Sequence, residues 1–195
     1  MRHGETAKNR EKLLQGRSNA PLNDAGIRQA EKVRDCFKRH GISFDLVLSS
    51  PLIRATRTAG IIAGENTEIR TDERLLEMDY GPYEGTSLEH PSPEIIEFFS
   101  DFVHNPAPEG MESLEHVTER LGEFLNDLRE EKAENVLVAT HAIAMKGALE
   151  YLTPDSGGAY WSRYIGTCAV YGTEYDGKRY SVPEEVFFLN HEPGV

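Results

Sequence analysis

The stretch FDLVLSSPLIRATRTA, residues 44–59, contains a strand, a turn and the start of a helix in immediate succession. Its first five residues are a short apolar run, which is typical of a buried strand. A serine–serine–proline turn follows, and the helix after it carries Arg54. A strand, a loop and a helix in this order make one α/β unit, whose loop lies at the carboxyl end of the strand. The predicted fold class is therefore α/β.

The same alternation continues along the rest of the chain. Asn23 and Ser113 are placed as N-caps of two long amphipathic helices, and short apolar runs between helices predict strands. No repeat, low-complexity tract or linker interrupts residues 1–195, so we expect a single domain. An acidic, aromatic segment at about 86–111 predicts a lid-like insertion. The remaining predicted helices and strands are helices 23–39, 95–102, 112–132 and 142–152, and strands 68–70, 136–139, 168–171 and 185–189.

Composition narrows the class of protein and its partners. The chain has 195 residues, of which 38% are hydrophobic and 28% charged, as in ordinary globular proteins. It has no run of the roughly 20 apolar residues that a membrane span needs and no signal-peptide pattern. The net charge of −12 argues against nucleic acid or an acidic membrane as partner. Two distant cysteines, Cys36 and Cys168, are interpreted as reduced core residues, which favours a cytoplasmic location.

The string RHGET, residues 2–6, suggests phosphate chemistry. An imidazole such as that of His3 can attack phosphorus as a nucleophile. The neighbouring Arg2 can bind phosphate oxygens bidentately, and Gly4 lets the backbone approach an anion closely. Five residues alone are a moderate signal, since short patterns recur by chance.

Three later stretches strengthen this signal. Arg54 follows the serine–serine–proline turn, and His141 follows the apolar run of residues 136–139. Glu77 lies in LLEMDYGPYEG, residues 75–85. Taken singly, Arg54 could be a surface residue at a helix start and His141 an ordinary strand-end residue. Together they favour a site, because strand ends in an α/β sheet converge on one crevice.

In this order, RHGET, SSPLIRATRTA, LLEMDYGPYEG and VLVATH resemble the histidine phosphatase superfamily, also called the phosphoglycerate mutase-like family, over nearly the whole chain. The resemblance implies a three-layer sandwich, with a mostly parallel sheet, helices on both faces and a site at the carboxyl ends of the strands. It also implies a phosphatase that hydrolyses phosphomonoesters through a phosphohistidine intermediate, with a small phosphorylated metabolite as substrate.

The resemblance assigns roles to individual residues. His3 would be the nucleophile, Arg2 and Arg54 would bind the phosphate oxygens, and His141 would hydrogen-bond the same oxygens. Glu77 would be the general acid for the leaving alcohol and then the base for water. Its match to the family position selects it over carboxylates of the same type, which are Glu73, Asp79 and Glu84.

Further phosphate-binding positions follow from the same resemblance. Asn9, Gln15 and Gly16 match residues that line the phosphate pocket in the family. Ala142 stands where the family commonly has glycine, so its methyl group limits the approach of that backbone to the phosphate. The other histidines are scattered without zinc-type spacing, and we expect neither a metal nor a cofactor. These histidines are residues 40, 90, 104, 116 and 191.

Charge in the middle of the chain separates hydrolase from mutase. Between Arg74 and Arg120 there is no lysine or arginine, whereas eleven residues are aspartate or glutamate. A phosphoglycerate mutase must hold a second anionic group, so a phosphatase is favoured. Cations from Arg17, Lys146 or Arg163 would keep a mutase as an alternative. A non-catalytic phospholigand-binding module is a second alternative, disfavoured because every proposed catalytic residue is present.

Aromatic residues in the same segment allow two interpretations. They could line a leaving-group pocket for a neutral, partly apolar alcohol, or they could form the core of a lid helix. The sequence leaves the oligomeric state open, a homodimer included. The start of the chain carries one further expectation. Met1 directly precedes Arg2, whereas a nucleophile at a strand end needs an apolar strand before it, so we expect residues ahead of Met1; the alternative is a protein that begins here.

Overall fold

The computed structural model describes residues 1–64 and 66–186, in which helices and strands alternate along the chain. Short 3-10 turns at Glu73–Leu75, Gly81–Tyr83 and Pro154–Ser156 connect some of them. The helices and strands, in chain order, are α1 Ala7–Arg10, α2 Asp24–Arg39, β1 Leu46–Ser49, α3 Ile53–Ala63, β2 Arg70–Thr71, α4 Pro93–Ser100, α5 Leu114–Leu128, β3 Val136–Ala139, α6 Ala142–Leu152, β4 Tyr171–Gly172 and β5 Glu184–Glu185.

The central sheet is parallel, with strand order β2-β1-β3. β1 and β3 pair along their whole length, from Leu46 opposite Val136 to Ser49 opposite Ala139. Arg2 pairs in parallel with Thr140, just beyond β3. The N-terminal residues therefore run alongside β3 and reach the same edge of the sheet as the ends of β1 and β3.

Alternate residues of the strands face two separate cores. Leu46 and Leu48 of β1 pack into the cluster formed with α5 and α6. Val47 packs into the cluster formed with α2 and α3. Because successive strand side chains point to opposite faces, this alternation places helices on both sides of the sheet. The predicted three-layer α/β sandwich with a mostly parallel sheet is confirmed. The only antiparallel pair of the described strands is β4 with β5.

Helix α4 covers the core on the α5 and α6 side. Its Ile95 and Phe98 are buried. The rings of Phe98, Phe99 and Phe102 pack against one another with centroids 5.0 to 5.3 Å apart. These phenylalanines therefore pack against the core from the segment at 86–111.

Several predicted elements have other bounds in the structure, among them the helix 112–132 and the strand 168–171. Helix α5 stops at Leu128, four residues before the predicted end, and residues 129–131 continue as turns that bond three residues back. Residues 129–132 are all charged and offer no apolar side chain to pack. The predicted strand 168–171 shrinks to β4, because Cys168 has a positive φ of 59° that interrupts extended backbone. Of the predicted strand 185–189, residues 187–189 lie outside the described residues.

Candidate active site

The candidate site lies where the strands end, and its residues are far apart in the sequence. His3 follows the residue that pairs with Thr140, and its backbone is held on two sides. Its N–H donates to Thr140 O at 3.0 Å, and its carbonyl accepts from Cys168 N–H at 3.1 Å. His141 is the N-cap residue of α6. Strand order alone thus brings the two histidines together, with ring centroids 5.1 Å apart.

Arg54 lies between the two histidines and contacts both. Its side chain has no solvent exposure, and its Nε lies 3.2 Å from both His3 Nε2 and His141 Nδ1. Its two terminal nitrogens donate to backbone carbonyls, Nη1 to Ser18 at 2.8 Å and Nη2 to Gly16 at 2.7 Å. Burial lowers the pKa of Arg54 to about 10, against the charges of nearby carboxylates that raise it. The guanidinium therefore stays charged at neutral pH.

His3 has the tautomer that a nucleophile needs. Its Nδ1 lies 2.7 Å from the carbonyl oxygen of Gly4. A carbonyl only accepts hydrogen bonds, so Nδ1 carries the proton and Nε2 carries the lone pair that faces Arg54. Burial lowers the pKa of His3 well below its ordinary value, and the charges of Arg54 and Arg2 lower it further. The ring is consequently neutral at physiological pH.

His141 is oriented by a serine that the sequence did not single out. Its Nε2 lies 2.7 Å from Ser50 Oγ, while its Nδ1 accepts from Arg54. Burial lowers the pKa of His141 well below its ordinary value, followed by the charge of Arg54. Ser50 belongs to the turn after β1, so that turn both ends the strand and holds the second imidazole. The position of a serine beside a strand end was the available signal.

The Glu77 carboxylate packs against the N-terminus of α6. Its Oε1 accepts hydrogen bonds from three backbone N–H groups, those of Met78, Ile143 and Ala144, at 3.0 to 3.1 Å. Its Oε2 has one longer contact, 3.3 Å to Ile143 N. The first oxygen therefore fixes the carboxylate, and the second can exchange a proton. The rival carboxylates are engaged elsewhere or exposed: Glu73 is exposed, and Asp79 pairs with Arg17.

Two buried side-chain donors in the first 20 residues have no hydrogen-bond partner among the described residues. They are Arg2 Nε and Gln15 Nε2. Arg2 Nη1 is anchored on Ile165 O at 2.5 Å, and Gln15 Oε1 accepts from Thr6 Oγ1 at 2.8 Å. The anchored ends hold the side chains in place. A buried N–H without a partner is costly, so these donors suit an anionic ligand.

Asn9, which was predicted to line the phosphate pocket, has a structural contact at the start of α1. Its side-chain oxygen accepts from Thr6 N–H at 3.1 Å, which completes a capping box at the start of α1. The short helix thereby fixes the loop that carries Gln15. Ala142 is the first residue of α6, next to His141.

Gly4 is required by a neighbouring helix. A Cβ at Gly4 would lie 2.5 Å from the carbonyl oxygen of Gly26, in α2. The reciprocal Cβ at Gly26 would lie 2.1 Å from Glu5 O. The two glycines let the loop after His3 pack directly on the first turn of α2. The sequence prediction attributed Gly4 to anion approach, whereas the structure shows a close contact between backbones.

Glu84 holds the loop that binds Arg54. Its Oε2 accepts from Gly16 N–H at 2.8 Å, and its Oε1 accepts from Ser18 Oγ at 2.5 Å and Lys8 Nζ at 3.2 Å. Burial alone would raise the pKa of Glu84, but these hydrogen bonds lower it below its ordinary value. It is therefore an ionised anchor, and sequence analysis had placed it only among the competitors of Glu77.

The cations that would keep a mutase as an alternative differ in how they are paired. Arg17 lies 3.4 Å from both Asp79 and Glu112, and Arg163 lies 3.4 Å from Glu185. Lys146 instead donates to a backbone carbonyl, that of Trp161, at 2.6 Å. Burial lowers the pKa of Lys146 to about 8. Within the described chain, Lys146 is thus the one of the three without a carboxylate partner.

A cavity of about 730 Å³ lies away from this chemistry. Apolar side chains such as Phe124, Leu137 and Val170 line it. The two histidines, Arg54 and Glu77 are not among its lining residues. Among the described residues, no three His, Cys, Asp or Glu side chains are grouped as metal ligands would be. The helices of residues 1–64 and 66–186 are too short or too polar to cross a membrane.

Comparison with known proteins decides the family. The model of the histidine phosphatase superfamily (branch 1) matches residues 1–185. The chain belongs to the histidine phosphatase superfamily. This membership and the phosphatases among its relatives confirm the expected enzyme class, a phosphatase.

Two named proteins resemble the chain along most of its length. It is 32% identical over 170 residues to the uncharacterized phosphatase PhoE of Bacillus subtilis, covering 86% of this chain and 83% of that protein. It is 34% identical over 164 residues to phosphoglycerate mutase-like protein 4 of Arabidopsis thaliana, covering 80% and 70%.

A solved phosphoserine phosphatase structure has the same fold. Phosphoserine phosphatase from Entamoeba histolytica in complex with 3-phosphoglyceric acid superposes with a TM-score of 0.77 at 27% identity, covering 95% of this chain and 92% of that chain. A mutant of the same enzyme, in complex with phosphoserine, gives a TM-score of 0.76 at 26% identity.

Proposed function

We propose that this histidine phosphatase hydrolyses a small phosphorylated metabolite, with His3 as the nucleophile and a phosphohistidine as the intermediate. The observation that carries the proposal is the position of Arg54, whose Nε lies 3.2 Å from a nitrogen of each histidine. A buried cation between two neutral imidazoles forms a pocket for a tetrahedral anion. The partnerless donors of Arg2 and Gln15 add to it.

In the first step, the substrate phosphate binds between Arg2, Arg54 and His141. The lone pair on His3 Nε2 attacks phosphorus as the bond to the leaving oxygen breaks. Glu77, protonated at Oε2, gives its proton to that oxygen, so that the product leaves as a neutral alcohol. The N–H at His3 Nδ1 keeps donating to the Gly4 carbonyl, and that oxygen stabilises the positive charge that develops on the ring as Nε2 bonds to phosphorus.

In the second step, water attacks the phosphohistidine. Glu77, now a carboxylate, takes a proton from the water as its oxygen bonds to phosphorus and the bond to His3 Nε2 breaks. Inorganic phosphate leaves, Glu77 is protonated again, and the enzyme returns to its starting state. The arginines hold the phosphoryl oxygens through both steps, where negative charge is spread over them.

The covalent intermediate supplies the direct test. Wild-type protein mixed with a ³²P-labelled monoester and quenched in alkali, which preserves phosphohistidine, should retain label on the chain. The His3→Asn variant should retain none and should lose hydrolysis by about 10³-fold or more. Label that persists in His3→Asn, or hydrolysis without any labelled enzyme in wild type, would refute the intermediate at His3.

One observation favours a mutase as second candidate. Lys146 is a buried cation near Glu77 and Arg2 with no carboxylate partner in the described chain, and a mutase must bind a second anionic group. The pairing of Arg17 and Arg163 with acids argues the other way. Release of inorganic phosphate from 3-phosphoglycerate, measured beside its conversion to the 2-isomer, separates the two. A non-catalytic binding module would show neither reaction.

We also propose that the segment at 86–111 is a lid within a single domain. The two buried cysteines favour the cytoplasm as the location. The relatives named for phosphoserine and the complex with 3-phosphoglyceric acid make phosphate esters of small hydroxy acids the first compounds to assay.

A further inference from the structure

Arg54 is positioned by backbone carbonyls, and those carbonyls belong to a loop that needs an anchor of its own. Gly16 O and Ser18 O accept from the terminal nitrogens of Arg54 at 2.7 and 2.8 Å. The loop itself has no helix or strand to fix its path. Whatever fixes residues 16–18 therefore fixes the direction of the guanidinium and of its Nε toward His3.

The Glu84 carboxylate reaches the same two residues from the opposite side. It accepts from the N–H of Gly16 and from the hydroxyl of Ser18. In both residues the carboxylate binds a donor while the guanidinium binds the carbonyl. Arg54 and Glu84 thus hold one loop between them, without touching each other. Gly16 fits because a Cβ there would lie 2.7 Å from both Glu84 Oε2 and Met78 O.

The backbone around Glu84 is tied to this loop independently. Leu14 N–H donates to Thr86 O, and Gly85 N–H donates to Leu14 O, both at 2.8 Å. Further out, Lys12 and Glu89 form an exposed ion pair at 2.8 Å between the same two segments. These contacts would keep the two segments adjacent without Glu84, so its carboxylate is not needed to hold them together.

We infer that Glu84 is a positioning residue for phosphate binding, which acts on the anion through the loop 16–18 and Arg54. The inference rests on the proposed function, in which Arg54 binds the phosphate. Glu84 does not touch the reacting atoms, and it carries the same sign of charge as the substrate. Its two possible effects on an anion, electrostatic and positional, are therefore opposite in sign.

Because the electrostatic and positional effects have opposite signs, a change in anion affinity shows which of them Glu84 exerts. In Glu84→Gln, loss of a negative charge alone would strengthen the binding of inorganic phosphate or vanadate. Loss of the anchor would weaken it, because the amide supplies only one acceptor oxygen for the donors of Gly16, Ser18 and Lys8. We expect vanadate binding, measured by calorimetry, to weaken at least tenfold and kcat/KM on p-nitrophenyl phosphate to fall by a similar factor. Unchanged or tighter vanadate binding would overturn the inference.

The matched control is Glu89→Gln, which removes the ion pair between the same two segments and leaves Glu84 in place. This variant should change the vanadate affinity and kcat/KM on p-nitrophenyl phosphate by less than threefold. Should Glu84→Gln fold poorly, Ser18→Ala removes one donor to Glu84 while it keeps the carbonyl that Arg54 uses. Weaker vanadate binding in Ser18→Ala at an unchanged melting temperature supports the inference, and unchanged binding contradicts it.

A double-mutant cycle identifies the route. If Glu84 acts through Arg54, Glu84→Gln should cost less than threefold in vanadate affinity once Arg54→Lys has removed the guanidinium fork. Independent, additive losses would contradict a shared route. The binding measurement does not need turnover. A wild-type protein that binds vanadate but hydrolyses no ester would refute the proposed function and still leave the role of Glu84 testable.

Discussion

Glu77 Oε1 accepts the backbone N–H of Ala144 at 3.0 Å, which fixes the proposed general acid on the first turn of the helix that begins after His141. One helix thereby positions two groups of the site, the imidazole at its N-cap and the carboxylate on its free N–H groups. Negative charge is favourable at a helix N-terminus, so this placement also suits the carboxylate that activates water in the second step.

Glu77→Gln should affect esters according to their leaving group. An alkyl phosphate needs a proton on the departing oxygen, so we expect its kcat/KM to fall about 10²-fold or more. p-Nitrophenol departs readily without a proton, so p-nitrophenyl phosphate should lose far less at the phosphorylation step. The measurement is kcat/KM over a series of esters that differ in the pKa of the alcohol. Equal losses across the series would contradict the acid role of Glu77.

Ser50→Ala should impair the enzyme through His141. The variant removes the hydroxyl that lies 2.7 Å from His141 Nε2, which leaves a buried ring nitrogen without a partner. We expect a fall in kcat/KM of about tenfold, from the cost of about 1 to 3 kcal/mol for such a group. The neighbouring Ser49 is the control, since its hydroxyl donates to Ser50 O and does not contact the ring. A larger loss in Ser49→Ala than in Ser50→Ala would argue against this role.

Stability should fall with pH below about 6.5, where a histidine in the unfolded chain begins to bind a proton. Burial lowers the folded-state pKa of His3 and His141 well below that value, so the unfolded state takes up protons first. Each histidine can then remove up to about 1.4 kcal/mol of unfolding free energy per pH unit. This loss continues until the pH reaches the folded-state pKa.

Urea unfolding of wild type and of the double variant His3→Asn, His141→Asn between pH 7.5 and 5.5 measures this effect. Groups elsewhere titrate alike in both proteins, so the difference in slope isolates the two imidazoles. We expect a clearly flatter profile in the double variant. Parallel profiles would show that the histidines do not bring about the loss.

Gly4→Ala should destabilise the fold and not merely the site. The added Cβ would meet the Gly26 carbonyl at 2.5 Å, so α2 must shift, at a cost of about 1 to 3 kcal/mol. The control is Gly60→Ala in α3, where the nearest atom to a new Cβ is 3.5 Å away. That change should be neutral or stabilising, because alanine is the better helix former. Equal melting temperatures for Gly4→Ala and wild type would refute the contact.

Sequence was most informative about elements with clear hydrophobic periodicity and about residues that follow the ends of parallel strands. The residues 136–139 and 142–152 were predicted as a strand and a helix, and β3 and α6 have those bounds. Parallel strands end at one edge, so His3, Arg54 and His141 could be expected to meet, and they lie in contact. Their catalytic roles stay predictions, because contact alone does not demonstrate chemistry.

Sequence was least informative about loops that bind through the backbone. The carbonyls of Gly16 and Ser18 carry no side-chain signature, so their hold on Arg54 and the part of Glu84 could not be inferred from residue types. The positive φ of Cys168 likewise ended a predicted strand, since one backbone angle outweighs an apolar run. Tertiary hydrogen bonds determine both features, and periodicity does not encode them.

The backbone of the nucleophile is completed by residues far along the chain. Arg2 N–H donates to Ala169 O at 3.0 Å, and Cys168 N–H donates to His3 O at 3.1 Å. During synthesis on the ribosome, His3 must therefore wait until residues 168 and 169 have emerged before it has its native surroundings. A nascent or truncated chain that ends before residue 168 should hold no phosphatase activity, so that catalysis reports completed folding.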